Sequence, residues 1–187
     1  MTQGTGVAKT VTATVALDVE HQNMSEWCWA AVSVSVNRLF RPQSTHTQCE
    51  IAGMAMGQEC CGGSAAAACN SPHELHRVLG TLHLLAHDPI VEPVPFGRIQ
   101  KEIDAGRPIC VLIRWLDSDG KQNGRGHFIT VRGYRLTPGQ KQFVSIGDPL
   151  YGSSEVAYAE FANPKGGYRD GNGLWFATFL VANEAAS

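Results

Sequence analysis

A cysteine set between two tryptophans is the residue in this chain whose company first suggests chemistry. It is Cys28, within His21-Gln22-Asn23-Met24-Ser25-Glu26-Trp27-Cys28-Trp29-Ala30-Ala31. A cysteine attacks as its thiolate, and the start of a helix favours that form, because unpaired N–H groups and the helix dipole attract an anion there. Trp29, Val32, Val36, Leu39 and Phe40 recur at helical spacing until Arg41-Pro42, which predicts a helix over about 25–40. Ser25 is the expected N-cap, setting Cys28 in the first turn. The alternating valines are mediocre helix formers and few charges interrupt them, so this helix is stable only if buried on most sides.

A nucleophilic thiol needs a base, a group that orients the base, and donors for an oxyanion. Among seven histidines, His127 alone opens an alternating strand directly after a glycine-rich loop (Gly124-Arg125-Gly126-His127-Phe128-Ile129-Thr130-Val131). A strand end beside a loop is where a rigid scaffold presents a side chain to a cleft. Asp148 ends the next predicted strand, held extended by Pro149, and is the candidate orienting acid. Gln22, six positions before Cys28, supplies an oxyanion donor if its amide points at the cleft, together with the Cys28 backbone N–H.

The elements that must position these residues follow from patterning. Residues 1–10 are expected to be disordered. Thr10 to Val19 alternates as a strand, and Cys49 to Met56 reads as a short helix within a small, polar stretch. Ser71 and Pro72 read as the cap and first residue of a helix with Leu75, Val78, Leu79 and Leu82 on its apolar stripe. A third helix opens at Phe96-Gly97 and runs through Ile103. Strands are then predicted at Ile109–Trp115, His127–Arg135, Gln142–Gly147, Glu155–Phe161 and Leu174–Val181, with a turn-rich loop over 117–124. Helices first and strands later signal an α+β protein: a mainly helical half, about 11–105, packed on an antiparallel sheet half, about 106–187, within a single domain spanning 1–187.

Composition narrows the partners. A hydrophobic fraction of 43% and a charged fraction of 17% suit a globular chain able to bury a sizeable core. A net charge of −2 with no dense basic stripe argues against nucleic acid or a membrane surface as partner. No apolar run approaches a membrane span, and residues 1–20 lack the apolar block and cleavage site of a secretory signal. Of six cysteines, Cys110 sits in the apolar run Pro108 to Ile113 and is expected to be an inert core thiol. Cys49, Cys60, Cys61 and Cys69 remain. A bond between neighbours Cys60 and Cys61 is badly strained, leaving 49–60 with 61–69, or 49–61 with 60–69. Disulfides imply an oxidising compartment, so export by a route needing no such signal is one expectation and a cytoplasmic protein with reduced thiols the other. Zinc ligation by Cys60, Cys61, Cys69, His73 and His76 fits no common zinc spacing, and neither metal nor cofactor is expected.

Taken jointly, Gln22 to Cys28-Trp29-Ala30-Ala31, then Gly126-His127-Phe128 running to Gly133-Tyr134, then Asp148-Pro149, resemble the papain-like cysteine peptidases over about residues 15–182. The likeness is to their compact bacterial branch of effector proteases and bacteriocin-leader peptidases. The resemblance implies a papain-like fold with a central nucleophile helix, and a Cys-His-Asp triad of Cys28, His127 and Asp148 with Gln22 in the oxyanion hole. It also implies a monomeric endopeptidase acting on a protein or peptide through an acyl-enzyme. The same residues could serve amide hydrolysis, acyl transfer or deamidation, or a silent binding domain. Larger relatives carry a cysteine where Ser25 stands, an asparagine in place of Asp148, and an inhibitory pro-segment longer than anything before Gln22.

Overall fold

A computed structural model describes residues 9–182. Its centre is an antiparallel sheet in the order β5-β4-β3-β2-β6, with β1 paired to β3 off that path. The strands are β1 (Val11–Thr14), β2 (Ile109–Leu116), β3 (Gln122–Leu136), β4 (Gln142–Asp148), β5 (Gly152–Ala157) and β6 (Gly173–Leu180). The helices are α1 (Cys28–Phe40), α2 (Gln48–Met56), α3 (Gly63–Ala68), α4 (Leu75–Thr81), α5 (Phe96–Asp104) and α6 (Tyr158–Phe161). This is the expected α+β arrangement with an antiparallel sheet. No helix among the described residues is long and apolar enough to cross a membrane.

Strand alternation divides the interior into two cores. Cys110 of β2, Phe128 of β3 and Phe179 of β6 face one side, where α1, α2 and α4 pack with Trp27, Trp29, Val32, Ile51 and Leu79. Ile109, Val111, Ile129, Val131, Val144 and Ile146 face the other, covered by Phe96, Ile99 and Ile103 of α5 and by Phe161 of α6. Helix α1 is buried from Cys28 through Asn37. Ser33 and Ser35 turn their hydroxyls back to the carbonyls of Trp29 (2.8 Å) and Ala31 (2.7 Å), so even its polar side chains are satisfied inside.

Five local expectations are corrected. Helix α1 begins at Cys28 with Trp27 at the cap position and no side-chain cap. Ser25 does not cap because its hydroxyl accepts from Asn70 Nδ2 at 2.9 Å, and a turn closed by Trp27 N–H on the Met24 carbonyl precedes the helix. Helix α4 begins at Leu75, not Pro72, because the Ser71 carbonyl is taken by the Trp29 indole at 3.1 Å, holding the segment alongside α1. The strand expected to reach Phe161 ends at Ala157, and α6 turns Phe161 into the second core. The turn expected over 117–124 is shorter, since Gln122 already pairs with Leu116. The run Gly62-Gly63-Ser64-Ala65 to Ala68 forms α3, where no helix was expected. Of residues 1–10, expected to be disordered, 1–8 lie outside the described residues.

The cysteines adopt the second of the two pairings, Cys49–Cys61 and Cys60–Cys69, with Cys28 and Cys110 free. These disulfides take up the thiols that zinc ligation required, and among the described residues no group of three or more His, Cys, Asp or Glu is placed to hold a metal.

Candidate active site

Cys28 is the first residue of α1, so its Sγ lies where that helix presents unpaired N–H groups. Two indoles fix it from behind: Trp27 Nε1 donates to the Cys69 carbonyl at 2.9 Å, and Trp29 Nε1 to that of Ser71. Asn70, between those acceptors, takes the Glu26 N–H at 2.9 Å. The disulfide-bonded loop therefore grips both sides of the cysteine. The other disulfide segment grips the strand of chain before it: Gln48 of α2 accepts from Asn23 N–H (2.9 Å) and donates to the His21 carbonyl (2.8 Å).

His127 lies on β3 opposite Ile113 of β2, and Asp148 ends β4. Both are buried, at 5% and 2% exposure. His127 Nε2 bonds Asp148 Oδ1 at 2.8 Å, which leaves Nδ1 for Cys28, also within hydrogen-bonding reach of the imidazole. The structure thus brings Cys28, His127 and Asp148 together across α1, β3 and β4. Burial alone disfavours the imidazolium, but the hydrogen bonds to Asp148 and Cys28, and their charges, outweigh it and raise His127 to about 9. For Asp148 burial pushes the carboxyl up, yet the His127 bond and charge win and hold it below the ordinary range. Leu150 N–H (2.7 Å) and Tyr151 N–H (3.0 Å) also donate to Oδ1, an Asx-type turn that locks the carboxylate.

Gln22 is placed differently. Its N–H hydrogen-bonds the Pro149 carbonyl at 2.8 Å, tying it to the residue after Asp148. Its Nε2 donates to the carbonyls of Met24 (3.0 Å) and Ser25 (2.7 Å), and its buried Oε1 has no partner among the described residues. The carboxamide spans the turn before Cys28 and does not line the cleft. Gly147 eases this approach: a Cβ there would stand 2.6 Å from Val19 Cγ2, so a larger residue would push the Val19 side chain away from β4.

Two residues at the site went unseen in the sequence. Trp115 stacks on the His127 ring at 6.2 Å between centroids, and Tyr168 donates its hydroxyl to Asp148 Oδ2 at 2.6 Å. Trp115 lies one residue before the end of β2 and could have been flagged for that position. Tyr168 sits in a loop of glycines and polar residues, where nothing local marks it. The cleft holds about 800 Å³, with Trp29 and His73 on the helical side and Trp115, Gly126, Tyr151 and Arg169 on the sheet side. It suits a segment of polypeptide. Cys110 is fully buried in β2, and burial pushes its thiol up to about 12, which leaves it unreactive.

A thiol at a helix start, an imidazole and a buried carboxylate, meeting in an open cleft on an α+β fold, make the arrangement of a thiol hydrolase. The family described as papain-like cysteine protease AvrRpt2 matches residues 9–165, and the chain belongs to this family of bacterial effector-type proteases. It is therefore a papain-like cysteine peptidase, a hydrolase. No curated protein matches the chain.

Proposed function

We propose that this single papain-like domain is a monomeric endopeptidase that cleaves a protein or peptide substrate with Cys28 as nucleophile, His127 as base and acid, and Asp148 as orienting group. The observation that carries the reading is the contact chain in which one imidazole bonds Asp148 through Nε2 and has Cys28 as its other side-chain partner. His127, raised by its Asp148 partner, is the acceptor for the Cys28 proton as attack begins. The thiolate attacks the scissile carbonyl, and the imidazolium gives its proton to the departing amine. Water, deprotonated by the same imidazole, then releases the acyl group from the thioester.

The oxyanion faces the start of α1, where the Cys28 N–H is the available backbone donor. Gln22 is the second donor in this reading. Its amide hydrogens are held by Met24 and Ser25, so it serves the oxyanion by turning its carboxamide toward the cleft as substrate binds. The turn exchanges those two bonds for one to the oxyanion and brings the unpartnered Oε1 out of its buried position.

The deciding experiment is covalent labelling with a thiol-reactive peptide inhibitor at neutral pH. Cys28→Ala abolishes labelling and Cys110→Ala leaves it intact. Equal labelling of the two variants would overturn the assignment.

A further inference from the structure

Asp148 shares its interactions unequally. Oδ1 receives three donors, from His127, Leu150 and Tyr151, whereas Oδ2 receives Tyr168 alone among the described residues. We propose that Tyr168 is a positioning residue for the reaction, its hydroxyl fixing and polarising the Asp148 carboxylate that in turn aligns His127. This rests on the Cys28–His127–Asp148 reading above.

The loop around Tyr168 is built for that contact. The Gly167 and Tyr168 N–H groups both donate to the Gly173 carbonyl at 3.0 Å, and Gly173 N–H returns to the Tyr168 carbonyl at 2.8 Å. A Cβ on Gly167 would lie 1.7 Å from the Glu160 carbonyl oxygen, so no other residue fits there. The ring is 1% exposed, packed against Phe161 edge-on and against Trp115, which also covers His127. A phenylalanine would fill this space without burying a hydroxyl. The bond that the hydroxyl donates goes to Asp148, and the Arg169 side chain lies on its other flank.

Asp148 is faced by His127 from β3, by the Leu150 and Tyr151 N–H groups after β4, and by Tyr168. Cys28 faces His127 from α1, and the Arg169 guanidinium lies 5.7 Å over the Tyr168 ring. The Tyr168 bond is among the contacts that favour ionised Asp148. Without the hydroxyl, Asp148 takes up its proton at higher pH, and the His127 imidazolium that faces Cys28 loses its counter-charge.

The test uses the full chain and the rate at which iodoacetamide alkylates Cys28, followed by peptide mass spectrometry across pH. In Tyr168→Phe the acid limb of that rate moves up by about half a pH unit, or about threefold in rate on the limb. Asp148→Asn moves it further, and Tyr168→Phe adds nothing in that background. An unmoved limb in Tyr168→Phe beside a moved one in Asp148→Asn overturns the role of Tyr168 alone. An unmoved limb in Asp148→Asn overturns the triad reading on which it rests. Should Tyr168→Phe fail to fold, 3-fluorotyrosine at position 168, a stronger donor, must move the limb to lower pH; no movement overturns the inference.

Discussion

The indole of Trp27 donates to the carbonyl of Cys69 at 2.9 Å, joining the residue before Cys28 to a disulfide 42 positions down the chain. With the Trp29–Ser71 and Glu26–Asn70 bonds beside it, the loop that Cys60–Cys69 closes works as a splint for the start of α1. Replacing Cys60 and Cys69 by serine is expected to cost about 2–3 kcal/mol of stability for a loop of this size. It should also slow alkylation of Cys28. Denaturant titration and labelling rates on the one variant measure both effects.

The raised His127 has a consequence at alkaline pH. Its folded value of about 9 stands above the ordinary 6.5, so the charged ring contributes stability in full below about pH 6.5. That contribution is lost as pH rises through about 9, and the acid that protonates the leaving amine is lost with it. NMR titration of the His127 ring should give a midpoint near 9, and Cys28→Ala should lower it, because one raising partner is removed.

Asp148→Asn should be milder than His127→Ala. An asparagine Oδ1 can still accept from His127, Leu150 and Tyr151, and its amide can donate to the Tyr168 hydroxyl, so the turn survives and only the charge is lost. Removing the imidazole removes base and acid together, a loss of about 10²–10⁴-fold in turnover. Steady-state kinetics on a peptide found by library profiling should show at least about tenfold between the two variants; equal losses would remove Asp148 from its orienting role.

Gln22→Ala separates attack from stabilisation. With the oxyanion donor gone, turnover should fall about 10²–10³-fold. Alkylation by iodoacetamide passes through no tetrahedral oxyanion and should fall far less. A parallel loss of both rates would assign Gln22 only to bracing the Met24 and Ser25 carbonyls.

Much of the scaffold was legible because its signals are local. The apolar run from Ile109 reads as β2, Phe96, Ile99 and Ile103 read as one face of α5, and Cys49 to Met56 reads as α2 within one residue. The misreadings occur where a distant partner takes a local group. Ser25 and Ser71 carry sound capping chemistry, but Asn70 claims the first and the Trp29 indole the second. α3 was missed for another reason: two glycines masked a run of four alanines, the best helix formers. At the site, Cys28, His127 and Asp148 were legible through residue type and spacing. The orientation of the Gln22 amide and the approach of Tyr168 were not, since each is set by backbone contacts formed only once the sheet has assembled.

The two cores described for the sheet divide the site between them. Cys28 belongs to the core under α1, whereas His127 shares its strand face with Ile129 and Val131, and Asp148 with Val144 and Ile146, in the other core. The thiol and its base therefore come from opposite sides of one sheet and meet only where α1 is docked on it in register. Reactivity of Cys28 works as a vernier on that docking. On gentle heating it should fade while the far-ultraviolet signature of helix and strand is still intact.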